Sequence, residues 1–248
     1  MILVVFAHIE TFVLSIQPNS TLISALFISF RMPLFFFISG FISYKKYAIW
    51  SGQYYVQSLI KKIKIQLIPT LIFGLSYTYL FSIGNVCSFI DSYHKFGYWF
   101  TLCLLGIFTI LYTTNFLIYS CFKQRYKILS LVVLTIITAG LTLFKFVYDK
   151  YPFVAEISDI FCFHQVCVYL PFFIFGYFVS HNKDRFYRFL DNRVMQLCIF
   201  VLFIITFYYK RTLPDSFYNV NISFSFLSFL IYSFHNFPES HGINVFER

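Results

Sequence analysis

Charge is what this chain has least of. Asp, Glu, Lys and Arg together make up 12% of its 248 residues, against 59% apolar residues. A soluble domain carries about twice that share of charge, so a polytopic membrane protein is implied instead. Acidic residues are the scarcest, ten against nineteen basic ones, for a net charge of +9. Such an excess would suit nucleic acid, but here it falls in short connections between apolar runs, which is the pattern of membrane topology. No nucleic-acid partner is expected. The sequence holds no GxSxG, HExxH, P-loop or GxGxxG string, so the enzyme classes built on those motifs gain no support. Six cysteines show no CxxC spacing. Cys103, Cys162, Cys167 and Cys198 fall within apolar runs, as small hydrophobes do, and no metal site is expected. The run 2–16 lacks the basic flank and small-residue cleavage site of a signal peptide. It is short for a span and begins at Met1, so the chain is expected to start inside its first helix. No internal repeat supports an inverted-repeat transporter.

What is present is a series of apolar runs. Hydropathy gives eight candidate spans: 2–16, 22–43, 63–84, 97–119, 128–147, 161–180, 194–209 and 220–234. The expected fold is an all-α polytopic helix bundle forming one membrane domain over residues 1–248. Twelve of the nineteen basic residues lie in the connections 44–64, 120–127 and 181–193, which puts those loops and the N-terminus in the cytoplasm. The aromatic residues, 24% of the chain, read mostly as lipid-facing and interfacial filler. Residues 44–62, YKKYAIWSGQYYVQSLIKK, read as an interfacial segment on the cytoplasmic surface. Its lysines suit either a tether to anionic lipid or a site for a cofactor's phosphates. Pro33, Pro69 and Pro171 fall inside spans, where each can kink a helix.

Two ionisable residues stand out. Arg31 sits within LISALFISFRMPLFFFISGFIS (22–43), where a charge costs at least ~2.5–3.5 kcal/mol at the centre of a span. His8 lies in the preceding run. Counted from the turn between the two runs, both fall roughly 14–15 Å deep, near the midplane. Matching depth on neighbouring helices allows a shared cavity, in which a neutral imidazole can act as general base. Glu10 points away from His8 on the same helix. It is a candidate partner for Arg31 or for a substrate hydroxyl, or else a carboxyl reached by water. His164 and Gln165 lie inside another span and either line the same cavity or tie helices together. Asp91, His94 and Lys95 read as an outer loop, solvated or touching an acceptor.

The string RMPLFFFISGF (31–41) resembles the signature of the acyltransferase type 3 family, integral-membrane O-acyltransferases of bacterial cell-surface glycans. ILVVFAH (2–8), KKIKIQLIP (61–69), YWFTLCLL (98–105) and PFFIFGYFV (171–179) resemble further family segments in the family's order. The resemblance implies transfer of an acyl group, usually acetyl, from cytoplasmic acetyl-CoA or another acyl-CoA to a sugar hydroxyl, with no permanently bound cofactor. It makes His8 the catalytic residue. Arg31 would fit beside the acyl donor or the developing oxyanion. The candidate substrate-site residues are then Arg31, Glu10, Ser39, Trp99, His164 and Gln165, and the candidate donor-site residues Lys45, Lys46, Lys61 and Lys62. Ser39 and Gly40 belong to the tight motif, with Ser39 in packing or hydrogen bonding. The implied partners are membrane lipid, acyl-CoA and a glycan acceptor, and the implied location is the bacterial inner membrane. The family has about ten spans and an arginine upstream of the histidine, so this chain, with about eight, is expected to be incomplete at both ends. A carrier or flippase of a glycan or lipid intermediate is the alternative from another class, and a non-catalytic assembly partner is a third. A carrier needs no general base, which makes His8 the discriminating residue.

Overall fold

The computed structural model describes residues 22–46, 48–81, 95–123, 125–148 and 159–208. Among them there are helices and no strands. The helices are α1 (Leu22–Ser43), α2 (Gly52–Lys62), α3 (Ile68–Phe81), α4 (Trp99–Cys121), α5 (Tyr126–Tyr148), α6 (Phe163–His181), α7 (Lys183–Leu190) and α8 (Arg193–Tyr208). Expected spans 2–16 and 220–234 lie outside the described residues. The runs at 22–43, 97–119, 128–147, 161–180 and 194–209 are helical to within a few residues of the expected bounds. By length and composition, Trp99–Cys121, Tyr126–Phe144 and Phe163–His181 can each cross a membrane.

The chain divides into two compact units, one of Met1–Phe35 with Val179–Arg248 and one of Phe36–Phe178. In the second unit, α1 and α6 run parallel. Phe36 stacks on Tyr169, Gly40 meets Phe173 and Tyr44 meets Tyr177 edge-on, in step along both helices. The sequence permits this closeness because the crossing carries glycine on both sides. A Cβ on Gly40 would strike the Phe173 carbonyl, and one on Gly176 would strike the Phe37 carbonyl. Small residues at such a crossing let backbones touch, which favours association where lipid removes the hydrophobic drive. Phe36, Phe172 and Phe173 are buried around it.

α4 runs parallel to α6, with Gly106 against Val166, Phe108 against Phe173 and Asn115 against Tyr177. The short link at 122–125 turns the chain back into α5. On α5, Tyr126, Ser130, Leu131 and Leu134 are buried, while Ile128, Val132 and Ile136 are exposed at one-turn spacing. That exposed apolar stripe is the lipid-facing side of an amphipathic pattern written for a membrane. Spans two, four and six therefore run one way and span five the other.

Span three differs from the expected run 63–84. Helical structure starts at Gly52, capped by the Ser51 side chain, which accepts from the Tyr54 amide. It continues through a π-helical turn, Ile63–Leu67, into α3. Pro69 explains the π turn. Proline lacks an amide donor and its ring crowds the carbonyl four residues back. Widening the preceding turn, with the Ile68 amide bonded to the Ile63 carbonyl, relieves that crowding. The rod from Gly52 to Phe81 is about 45 Å long at ~1.5 Å per residue, enough to span with length to spare.

Candidate functional site

The rod lies antiparallel along α4. Tyr55 meets Thr113 at 3.3 Å between hydroxyls and stacks on Phe116. The Lys62 ammonium lies 3.6 Å from the centre of the Phe108 ring. The Thr70 and Thr101 hydroxyls meet at 2.6 Å. Residue numbers rise on the rod as they fall on α4, so the register holds along its length. Lys62 is consequently level with Phe108, roughly 14 Å along α4 from Trp99 at ~1.5 Å per residue. The segment 44–62 is thus not a surface strip throughout. Its second half packs against an apolar span, and Lys62 is carried beside the middle of that span.

The first half of the segment is pinned to the other end of α4 and to α5. Trp50 is buried among Ile118, Tyr126, Tyr54 and Tyr112. The Tyr126 hydroxyl donates to the Ala48 carbonyl at 2.8 Å, and the Lys127 ammonium donates to the Lys46 carbonyl at 2.6 Å. The Lys45 ammonium donates to the Tyr54 hydroxyl at 3.2 Å. Lys45 and Lys61 both lie within electrostatic reach of Lys62. The described residues include three carboxylates, Asp159, Asp184 and Asp191, and none of them pairs with Lys45 or Lys62. Three like charges with no counter-ion among the described residues repel one another, and an anion relieves that repulsion.

Behind this group lies buried polarity. Asn115 is 0% exposed; its amide donates to the Leu111 carbonyl at 3.0 Å and its side chain also meets Tyr177. Its Oδ1 is buried with no protein partner among the described residues. A buried carbonyl oxygen without a donor costs roughly 1–3 kcal/mol, so its retention points to a donor from water or ligand.

The other expected residues are distributed as follows. Trp99 stacks on Tyr169, which stacks in turn on Phe36, making a three-ring column near the first residue of α4. Gln165 is buried and His164 half-buried on the first turn of α6. Ser39 is half-buried beside the Gly40 crossing. Lys46 and Lys61 are exposed. Arg31 lies on α1 in the other unit, half-buried, five positions before Phe36. His8 and Glu10 lie outside the described residues, as do Asp91 and His94. Lys95, read from the sequence as part of an outer loop, is buried at a left-handed backbone position (φ 44°). The four lysines are thus separated: Lys62 is half-buried on the Phe108 ring, while Lys45, which donates to the Tyr54 hydroxyl, Lys46 and Lys61 are exposed. Sequence reasoning missed Tyr54, Phe108, Tyr112, Asn115 and Tyr177. Asn115 alone carried a signal, a strong hydrogen-bonding side chain inside the apolar run 99–121. Among the described residues no cluster of His, Cys, Asp and Glu is arranged to hold a metal.

Apolar helices long enough to cross a membrane mark a membrane protein, and lysines and hydroxyls gather where the rod meets α4. A profile of the acyltransferase domain matches residues 1–243, and the chain belongs to the acyltransferase type 3 family. No curated protein and no solved structure matches the chain.

Proposed function

We propose that this protein is a membrane O-acyltransferase that moves an acyl group, in the first instance acetyl, from acyl-CoA to a hydroxyl of a cell-surface carbohydrate or lipid-linked sugar. Family membership supports the acyl transfer. The observation that carries the donor assignment is the grouping of Lys45 and Lys62 beside Tyr54 and Phe108, with no carboxylate partner among the described residues. A CoA thioester brings phosphates, and unpaired ammonium groups bind them by charge-assisted hydrogen bonds. Lys46 and Lys61, exposed nearby, contribute attraction at longer range. On the basic-loop bias, those lysines, the N-terminus and loops 120–127 and 181–193 face the cytoplasm of a bacterial inner membrane.

In this scheme His8 takes the proton of the acceptor hydroxyl. The oxygen attacks the thioester carbonyl, the C–S bond breaks, and the proton passes to the departing CoA thiolate. Arg31 stabilises the oxyanion that forms at that carbonyl. Glu10, Trp99, His164 and Gln165 hold the acceptor, with Trp99 offering an aromatic face to a sugar ring, and Ser39 supports the helix that bears Arg31.

Labelled acetyl-CoA, incubated with membranes from cells expressing the gene, is expected to leave alkali-labile label on surface glycan. His8→Ala abolishes that label while protein level and topology persist, since a general base contributes ~10²–10⁴-fold. Retention of more than about a tenth of the activity per folded molecule, outside that range, removes the catalytic role from His8 and favours a carrier of a glycan or lipid intermediate.

A further inference from the structure

Helix α7 stands apart from every element used above. Its sequence, KDRFYRFL, joins two apolar helices with almost no slack. Asn182 alone separates it from α6, and Asp191 with Asn192 separates it from α8. Since α6 is long and apolar enough to cross a membrane and α8 is apolar beyond its first turn, from Leu197 onward, an eight-residue polar helix between them has to lie at the membrane boundary. It is amphipathic at helical spacing. Phe186, Tyr187, Phe189 and Leu190 fall on one arc and Asp184, Arg185 and Arg188 on the other, with Phe189 at the edge of the apolar arc beside Arg185.

Its side chains are arranged for such a boundary. Phe189 is 48% exposed, a large apolar ring left uncovered by the protein. Arg185 is exposed with no protein partner among the described residues. Arg188 is exposed, and its Nε donates to the Asp184 carbonyl at 3.3 Å, which spends one donor and leaves the terminal nitrogens outward. Lys183 is exposed, with its ammonium 5.7 Å from the Tyr187 ring. Burial pushes the Tyr187 hydroxyl above its ordinary range, so that ring turns inward while the arginines turn outward. Basic residues thus outnumber acidic ones, and an apolar ring is exposed beside them. Charge complementarity and the fixed position between two membrane helices point to one occupant, a bilayer surface bearing anionic headgroups.

We propose that α7 is a lipid-docking helix in which Arg185 and Arg188 bind the phosphates of anionic phospholipid and Phe189 enters the top of the acyl-chain layer. This contact is independent of the acyl-transfer reaction. It recognises the lipid class through net charge.

The test uses the full chain in nanodiscs of phosphatidylcholine alone or with phosphatidylglycerol, each with brominated acyl chains as quencher. The probe is Phe189→Trp, read as the difference from the parent protein so that Trp50 and Trp99 cancel. The expected result is emission shifted to the blue and quenched, more strongly with phosphatidylglycerol than without. Arg185→Gln with Arg188→Gln in the same background is expected to remove that preference. One basic residue near an anionic surface is worth about fivefold in partitioning, so the pair amounts to about thirtyfold. Absence of quenching in both lipids means that Phe189 does not meet the bilayer, and overturns the proposal. Equal quenching in both means an apolar contact without headgroup selection, and overturns it as well. The comparison of the two lipids on Phe189→Trp alone decides the question even where the double-arginine variant fails to accumulate.

Discussion

Two helix seams in the second unit do opposite things with the same membrane. At the α1–α6 seam, glycine meets backbone on both sides and the flanking rings are buried. At the seam between the Gly52–Phe81 rod and α4, α2 buries no residue at all, and the contact is made by hydroxyls, stacked rings and an ammonium on a ring face. The first seam is close-packed and has no room for anything else. The second brings lysine charge and hydroxyls together, with no carboxylate on the lysines among the described residues. A membrane bundle can thus separate the seam that holds it together from the seam that binds.

The sharpest way to break that contrast is at the glycines. Gly40→Ala and Gly176→Ala each put a methyl group where a backbone carbonyl already lies, and neither carbonyl can move without shifting its helix. Overpacking of this kind costs about 1–3 kcal/mol, occasionally more. Both variants are expected to lower the thermal midpoint and the folded yield in detergent, measured by fluorescence-detected size exclusion after heating. Midpoints equal to the parent's would mean that the two helices do not meet backbone to backbone at this crossing.

These seams were unequally legible in the sequence. The sequence placed Gly40 in a tight motif within RMPLFFFISGF and read PFFIFGYFV only as a resemblance, so that the two glycines meet across one crossing is a finding of the fold. Helix positions along most runs followed from hydropathy alone. The rod was misplaced at its start because Lys61, Lys62 and Lys64 lower the hydropathy of a window that packing nevertheless buries in part. A long lysine stem can lie along apolar surface, and the Phe108 face gives its head a partner that no one-dimensional scale records. Tyr54, Tyr112 and Tyr177 were hidden by abundance, since twenty tyrosines make any one of them uninformative before its neighbours are known.

Lys62→Gln addresses the binding seam. The amide keeps most of the stem's packing and removes the charge. A charge-assisted hydrogen bond is worth about 1.5–3 kcal/mol, or about 10–100-fold in donor affinity. The expected outcome is a rise of that order in KM for acyl-CoA, with folded yield unchanged or improved because repulsion from Lys45 and Lys61 is relieved. Lys62→Arg is expected to recover part of the affinity. A drop in yield with KM unchanged would assign Lys62 to the structure of the rod instead.

Tyr55→Phe removes one hydroxyl from the same seam and keeps the stack on Phe116. Loss of its bond to Thr113 is expected to cost about 0.5–1.5 kcal/mol. It should be visible as a small fall in thermal midpoint, with KM for the donor unchanged. A large change in KM with stability intact would extend the donor site along the rod to Tyr55.

Lys61→Gln is the smallest and most discriminating change, because Lys61 adjoins Lys62 in sequence and differs from it in placement. Lys61 is exposed, whereas Lys62 is half-buried on Phe108. An exposed charge acts at long range and is screened by salt over a Debye length of about 8–10 Å. Lys61→Gln is therefore expected to raise KM for the donor by about threefold or less at low salt, the size of a surface interaction. That increment should vanish as salt is raised. The Lys62→Gln defect should persist under the same salt, because its contact is shielded from solvent. If the two variants lose equal affinity with equal salt dependence, the lysines act as one diffuse patch, and the tether to anionic lipid becomes the better account of residues 44–62. If only Lys62 resists salt, the binding seam has a defined cation at the depth of Phe108.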